Sequence, residues 1–257
     1  MIMIYFSGTG NSKYIAELFS KKMKTKCFSI EDEVDFDQLI DAGNTIGFCY
    51  PVYGSRVPKL MREFVARHID SLKGKKLIIL CTQMSFSGDA ARAFTDLLPR
   101  KHVNVIYAEH ILMPNNVCNF FLTPLANEKR VHKYITSAFW KMKDVCNEIN
   151  YGITTKRGFN PVSRLLGLIQ GSFFPGIEKR ASKKVWIDND CNCCGLCVSL
   201  CPMKNFSLNN GMIETNNNCM MCYRCINKCP QMAISVFLRK KVKTQYKGIP
   251  DHSEESI

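Results

Sequence analysis

The stretch SGTGNS, residues 7–12, stands between the apolar run MIMIYF (1–6) and SKYIAELFSKKMK (12–24), in which apolar residues recur at helical spacing. Strand, glycine-rich loop and helix in that order set backbone amides and hydroxyls at a helix N-terminus, where a phosphate dianion is well held. The loop lacks the closing Gly-Lys-Ser/Thr of a Walker loop, and Lys13 stands where a dinucleotide loop needs its third glycine. A mononucleotide therefore suits Ser7, Gly8, Thr9, Gly10, Asn11 and Ser12 better than a dinucleotide. The plainer reading, a turn in which Asn11 or Ser12 only caps the helix, stays open.

Working outward, KCFSI (26–30), TIGFCY (45–50), KLIILC (76–81) and NVIYA (104–108) read as further strands. KLMREFVARHI (59–69) and DAARAFTDLLP (89–99) have helical periodicity, residues 35–42 have it weakly, and a long helix is expected over 124–149. Alternation of this kind implies an α/β domain over 1–150: a doubly wound five-stranded parallel sheet in the order 2-1-3-4-5, with its ligand crevice at the carboxyl ends of the strands.

YFSGTGNSKYIA (5–16) resembles the phosphate loop of the flavodoxin family. The resemblance implies flavin mononucleotide (FMN) as cofactor and two further loops around its ring. In YPVYGSRVP (50–58), Pro51, Val52, Tyr53 and Gly54 would meet the flavin, with Tyr53 stacking on it and Gly54 admitting backbone to its edge; an ordinary buried loop aromatic is the other reading of Tyr53. In CTQMSFSGDA (81–90), Thr82, Gln83, Ser85 and Gly88 suit the ring's polar edge and Phe86 its face, with Met84 also expected at the flavin. The chain departs from that family in lacking its acidic surface and aromatic-rich third loop. Met113, Pro114 and Asn115 either wall the crevice or form a structural loop. His110 reads as a surface histidine or as a proton donor near the flavin.

Nine of the fourteen cysteines fall in two blocks, CNCCGLCVSLCP (191–202) and CMMCYRCINKCP (219–230), and eight of those nine keep one spacing. Each follows Cys-x2-Cys-x2-Cys-x3-Cys-Pro. Zinc also uses Cys-x2-Cys pairs, but a tetrahedral site has no need of a third cysteine at that spacing. The region from Lys184 to Phe237 resembles the bacterial two-cluster ferredoxin domain, in which the fourth cysteine of each run ligates the other run's cluster. The resemblance implies one [4Fe-4S] cluster on Cys191, Cys194, Cys197 and Cys229, and another on Cys219, Cys222, Cys225 and Cys201. Cys193 falls off the spacing as a bystander, and Cys27, Cys49, Cys81, Cys118 and Cys146, scattered singly, read as core thiols.

The remaining segments are less patterned. Residues 151–183 carry glycines, prolines and basic residues around LLGLIQGSFFPGI (165–177), and read as a linker packing on the first domain, or as a membrane-surface or partner-docking amphipathic segment. A ferredoxin-like domain over 184–238 is followed by a basic, then acidic, solvated tail over 239–257. The net charge of +13 would fall to about +7 with two clusters and a flavin phosphate bound, and the remainder suits acidic redox partners of the ferredoxin or reductase type. No helix-turn-helix or basic recognition stripe suggests nucleic acid. No apolar run reaches the roughly 20 residues of a membrane span, and the expected location is the cytoplasm.

Both resemblances together point to the flavodoxin–ferredoxin fusion proteins of anaerobic bacteria and archaea. The expectation is electron transfer between FMN and two clusters, exchanging two-electron and one-electron carriers. A flavin-dependent reductase of a small substrate and a redox or oxygen sensor are the alternatives. No Ser-His-Asp or Cys-His catalytic arrangement is legible.

Overall fold

The computed structural model of the chain describes residues 1–86, 88–119 and 124–250. Strands and helices alternate from the N-terminus as β1 (Ile2–Tyr5), α1 (Asn11–Met23), β2 (Lys26–Ser29), α2 (Phe36–Asp41), β3 (Thr45–Pro51), α3 (Lys59–Arg67), β4 (Lys76–Gln83), α4 (Ala90–Thr95) and β5 (Asn104–Leu112). The five strands pair in parallel in the order β2-β1-β3-β4-β5, the flavodoxin-like order expected from the sequence. Alternate residues feed opposite faces, as a parallel sheet covered on both sides requires. Ile46, Phe48 and Tyr50 of β3 pack with α2, α3 and α4, while Cys49 packs with α1 and with α5 (Glu128–Asn150) on the other face. Reversal of strand order between β1 and β3 opens a crevice at their carboxyl ends, where the glycine-rich loop emerges.

The segment expected to be a linker is instead a 23-residue helix, α6 (Pro161–Lys183). Asn160 caps it by accepting from the Ser163 amide, and Pro161 occupies its first turn. Ser163, Gly167, Gly171, Phe174 and Ala181 form the buried stripe by which it lies across the loops that follow β3 and β4. Each glycine costs a helix about 1 kcal/mol against alanine, and close backbone approach offsets that here.

Beyond α6 the chain repeats itself. β6 (Val185–Ile187), the first cysteine block with α7 (Leu196–Leu200) and β7 (Phe206–Asn209) are followed by β8 (Met212–Thr215), the second block with α8 (Arg224–Lys228) and β9 (Ile234–Val236). The strands exchange: β6 pairs antiparallel with β9, and β7 with β8.

The tail is not solvated throughout. Val242 and Tyr246 are buried, and Gln245 donates to the carbonyls of Ile226 and Cys229. Tyr246 accepts no place in a strand or helix but bridges two regions: its amide donates to Asn227 and its hydroxyl to Asn11, at 2.7 and 2.6 Å. The acidic end, 251–257, lies outside the described residues.

Candidate functional site

A cavity of about 350 Å3 lies at the carboxyl ends of the strands, within the usual size range of small-molecule sites. Ser7, Gly8, Thr9, Asn11 and Ser12 form one wall, Pro51 to Ser55 a second, and Thr82 to Phe86 a third. Met113 to Val117 close a fourth side, so the Met113–Asn115 segment takes the wall position rather than a purely structural one. Two of the expected residues lie elsewhere. Gly10, in the left-handed conformation before α1, faces a neighbouring groove, and Gly88 packs beneath α6, where a Cβ would stand 2.7 Å from the Gly167 Cα.

The loop at the head of α1 suits an anion. No side chain caps this helix and its first turn holds no acid, so its leading amides face the loop without a competing carboxylate. The hydroxyls are held in place: Ser7 Oγ accepts from the Gly10 amide, Ser12 shares a 2.7 Å hydrogen bond with Thr82, and Thr9 Oγ1 accepts from Asn116. Thr9 thus keeps its own proton free to point at a ligand. Asn11 differs, because its side chain donates to the Pro114 carbonyl and accepts from Tyr246. It fastens loop to loop and tail instead of presenting a free amide.

α6 roofs this cavity with Gln170 and Phe174. Tyr53, Gly54, Ser55 and Arg56 turn the chain tightly, with reciprocal Tyr53–Arg56 backbone hydrogen bonds and positive φ at Gly54 and Ser55. A Cβ on Gly54 would enter the Phe174 ring, so this glycine, which lines the cavity, also makes room for the helix. Pro175 has no amide to offer the Gly171 carbonyl, and Arg56 Nε donates to that carbonyl at 3.1 Å in its place. The Tyr53 hydroxyl is buried beside Gly8 with no hydrogen-bond partner, and burial holds its phenol well above the ordinary range. It is an unmatched polar atom at the cavity wall, as a ligand with donors and acceptors would complete.

The last wall belongs to the second cysteine block: Met221 and Tyr223 line the same cavity. Gly8 packs so closely on the Cys222 carbonyl that no Cβ would fit between. Arg224 then locks block to loop, donating to the Ser7 carbonyl at 2.8 Å and the Gly8 carbonyl at 3.2 Å while forming a two-pronged ion pair with Glu31. Met221, Tyr223, Arg224 and Glu31 have no ligand spacing, and no pattern in the sequence marked them.

The eight spaced cysteines gather in two sets. Cys191, Cys194, Cys197 and Cys229 line one small cavity with Cys225 at its edge, while Cys201 lies within electrostatic reach of Cys219, Cys222 and Cys225. Among the described residues, no three His, Cys, Asp or Glu side chains converge as ligands of a single ion would. Thiolates of a cubane sit on separate corners and need no such convergence, so the donor chemistry fits a cluster. The space between the first four is only about 20 Å3, little more than a water requires, so these loops must spread to admit one. Burial pushes the Cys222 thiol up to about 12 and the Cys219 and Cys197 thiols to about 11; bound metal would take the place of those protons. Of the singly scattered cysteines, Cys49, Cys81 and Cys146 are buried, while Cys27 and Cys118 are partly exposed. Cys193 stands at a left-handed position next to the ligand-spaced Cys194.

His110 is not at the surface. It lies under α4, facing the Ala91 amide, outside the cavity, and burial lowers its pKa to about 4. Its neighbour Glu109, also buried, is paired with Lys141 and Arg157.

Sequence comparison agrees with the sheet. A flavodoxin-domain family model matches residues 2–122, a span that ends before either cysteine block. Among solved structures, the two-electron reduced flavodoxin of Megasphaera elsdenii is 22% identical, with 43% of this chain and 85% of that one covered at a TM-score of 0.37. General stress protein 14 of Treponema denticola, solved in complex with FMN, is 11% identical over 56% of this chain and 97% of that one, with a TM-score of 0.41. A short-chain flavodoxin associated with a non-canonical PDU bacterial microcompartment is 13% identical over 60% and 100%, also at 0.41. No curated protein matches the chain. The N-terminal part of the chain is thus flavodoxin-like in strand order and in sequence.

Proposed function

We infer that the chain is an iron–sulfur flavoprotein that carries electrons between FMN, held against the Ser7–Ser12 loop, and two [4Fe-4S] clusters on the crosswise cysteine sets. Bound FMN would supply exchange of one or two electrons and each cluster exchange of one. The observation that carries this reading is the shared wall: Met221 and Tyr223, flanking Cys222, line the same cavity as Ser7 and Thr9. Ser7 to Ser12 would hold the phosphate through α1 amides and the Thr9 hydroxyl, and Tyr53 would give its unpaired hydroxyl to the flavin. Arg224 would keep flavin loop and cluster loop at fixed separation.

An acidic one-electron carrier suits the partner role. A groove of about 910 Å3 on the far side of the phosphate loop is lined by Lys13, Lys21, Arg224, Lys228 and Lys247 against Glu17 and Glu31, and it reaches Leu200 of the first block. A second reading, reduction of a small substrate at the flavin, is favoured by the exposed Met84 and Phe86 at the cavity rim.

Anaerobic reconstitution tests the assignment. The chain is expected to take up about eight irons and one FMN. Zinc in place of iron, or a reconstituted chain without flavin, overturns it. Rapid reoxidation of the flavin by a small-molecule oxidant, with no response to one-electron protein carriers, selects the reductase.

A further inference from the structure

α6 buries only a narrow stripe. Opposite it, Val162, Leu165, Leu166, Ile169, Phe173 and Ile177 are all more than two-fifths exposed, with Phe173 at 70% and Val162 at 67%. An apolar face of this extent on one surface helix is unusual in a protein that keeps its surface to water. Its charges are one-sided. Arg164 precedes the main apolar run, and Lys179, Arg180 and Lys183 follow it, all exposed. The helix's single acid, Glu178, is turned inward to Arg62 at 2.7 Å, leaving no negative charge on the outer face.

We propose that α6 is a docking helix for an anionic lipid bilayer, lying in the interfacial plane with its apolar face among the acyl chains and its flanking cations at the headgroup phosphates. The chemistry is that of an in-plane amphipathic helix, in which apolar burial and attraction to anionic lipid act together. Charge argues against a second copy as occupant. An antiparallel pairing through this face would set Arg164 against the partner helix's basic end, and a parallel one would set each basic end on its counterpart. A spanning role is ruled out by the helix itself, since among the described residues no helix is long and apolar enough to cross a membrane. Gln170 and Phe174 of the same helix roof the cavity, so docking would hold that cavity about one helix diameter, roughly 10 Å, from the acyl chains.

Co-sedimentation of the full chain with vesicles of phosphatidylcholine alone, and of phosphatidylcholine mixed with phosphatidylglycerol, tests this, with sedimentation velocity run in parallel without lipid. The chain is expected to pellet with the mixed vesicles, more weakly with the neutral ones, and less as salt is raised. The triple substitution L165S, I169S and F173S, at exposed positions, is expected to lower that binding about tenfold or more. K179E, R180E and K183E together are expected to remove the preference for anionic vesicles. Failure to bind anionic vesicles, or equal binding by the triple-serine variant, overturns the proposal. A dimer without lipid that the triple-serine variant abolishes, with no vesicle binding, assigns the face to a second copy instead.

Discussion

The two cysteine blocks begin 28 residues apart and share spacing, helix and strand, yet they occupy different surroundings. Cys194 is exposed and Leu196 begins α7 at 37% exposure, whereas the matching Cys222 is buried and Arg224 begins α8 clamped to the flavin-type loop. Gly195 adopts its left-handed conformation without strain; Tyr223 adopts the same one with a side chain that the cavity wall needs. The repeated motif therefore differs in what its residues face. One copy faces water and the other faces the cavity, which would give the proposed electron carrier an outer and an inner end.

Replacing Cys229 with alanine tests the crosswise sets most severely. About half of the iron should be lost, with the surviving paramagnetic signal that of the cluster on Cys219, Cys222 and Cys225. Loss confined to that cluster would break the assignment. Acid should then separate the first domain from both blocks. Folded His110 stays neutral down to about pH 4, while the unfolded chain binds its proton near 6.5. The unfolded state thus holds the extra proton in between, and stability should fall by about 3 kcal/mol as pH drops through that window. Urea unfolding at several pH values, with His110→Gln flattening the slope, checks the sign.

Smaller effects sharpen the contrast between blocks. Arg224→Ala should cost about 2 kcal/mol of stability and weaken FMN retention about tenfold, because buried carbonyls and Glu31 lose a charged partner. Leu196→Ala, at the matching position, should cost under about 1 kcal/mol and leave flavin untouched. Equal effects in the two variants, by denaturant titration and flavin fluorescence, would erase the inner and outer distinction. Tyr223→Phe should be comparably mild, losing only the 2.9 Å hydrogen bond it donates to Asn119, about 1 kcal/mol or less.

Much of the first domain was legible because its signals are local. Period-two strands, period-3.6 helices and SGTGNS each declare themselves within a dozen residues, and strand–helix alternation implies a parallel sheet, for which five strands suit the observed order. What failed to show was set by residues far apart in the chain. LLGLIQGSFFPGI read as linker or amphipathic segment rather than as one long helix because Gly167 and Gly171 are explained only by Asp89 and Arg56, which they approach. Asn160-Pro161 was a start signal that could have been read. Gly88 was credited to a flavin edge when α6 occupies the space above it, and His110 was judged by its polarity although α4 covers it. Arg224 sits inside a cysteine motif whose spacing drew attention to its cysteines alone.

Tyr246 carries a consequence for the order in which the molecule is made. Its hydroxyl reaches Asn11 at the start of α1, and its amide reaches Asn227 in α8. The loop made first is thus pinned by nearly the last described stretch of chain, after both cysteine blocks have been synthesised. A nascent chain stalled before residue 246 would hold both half-sites joined through Arg224 but without this second tie, which forms only as synthesis passes that tyrosine.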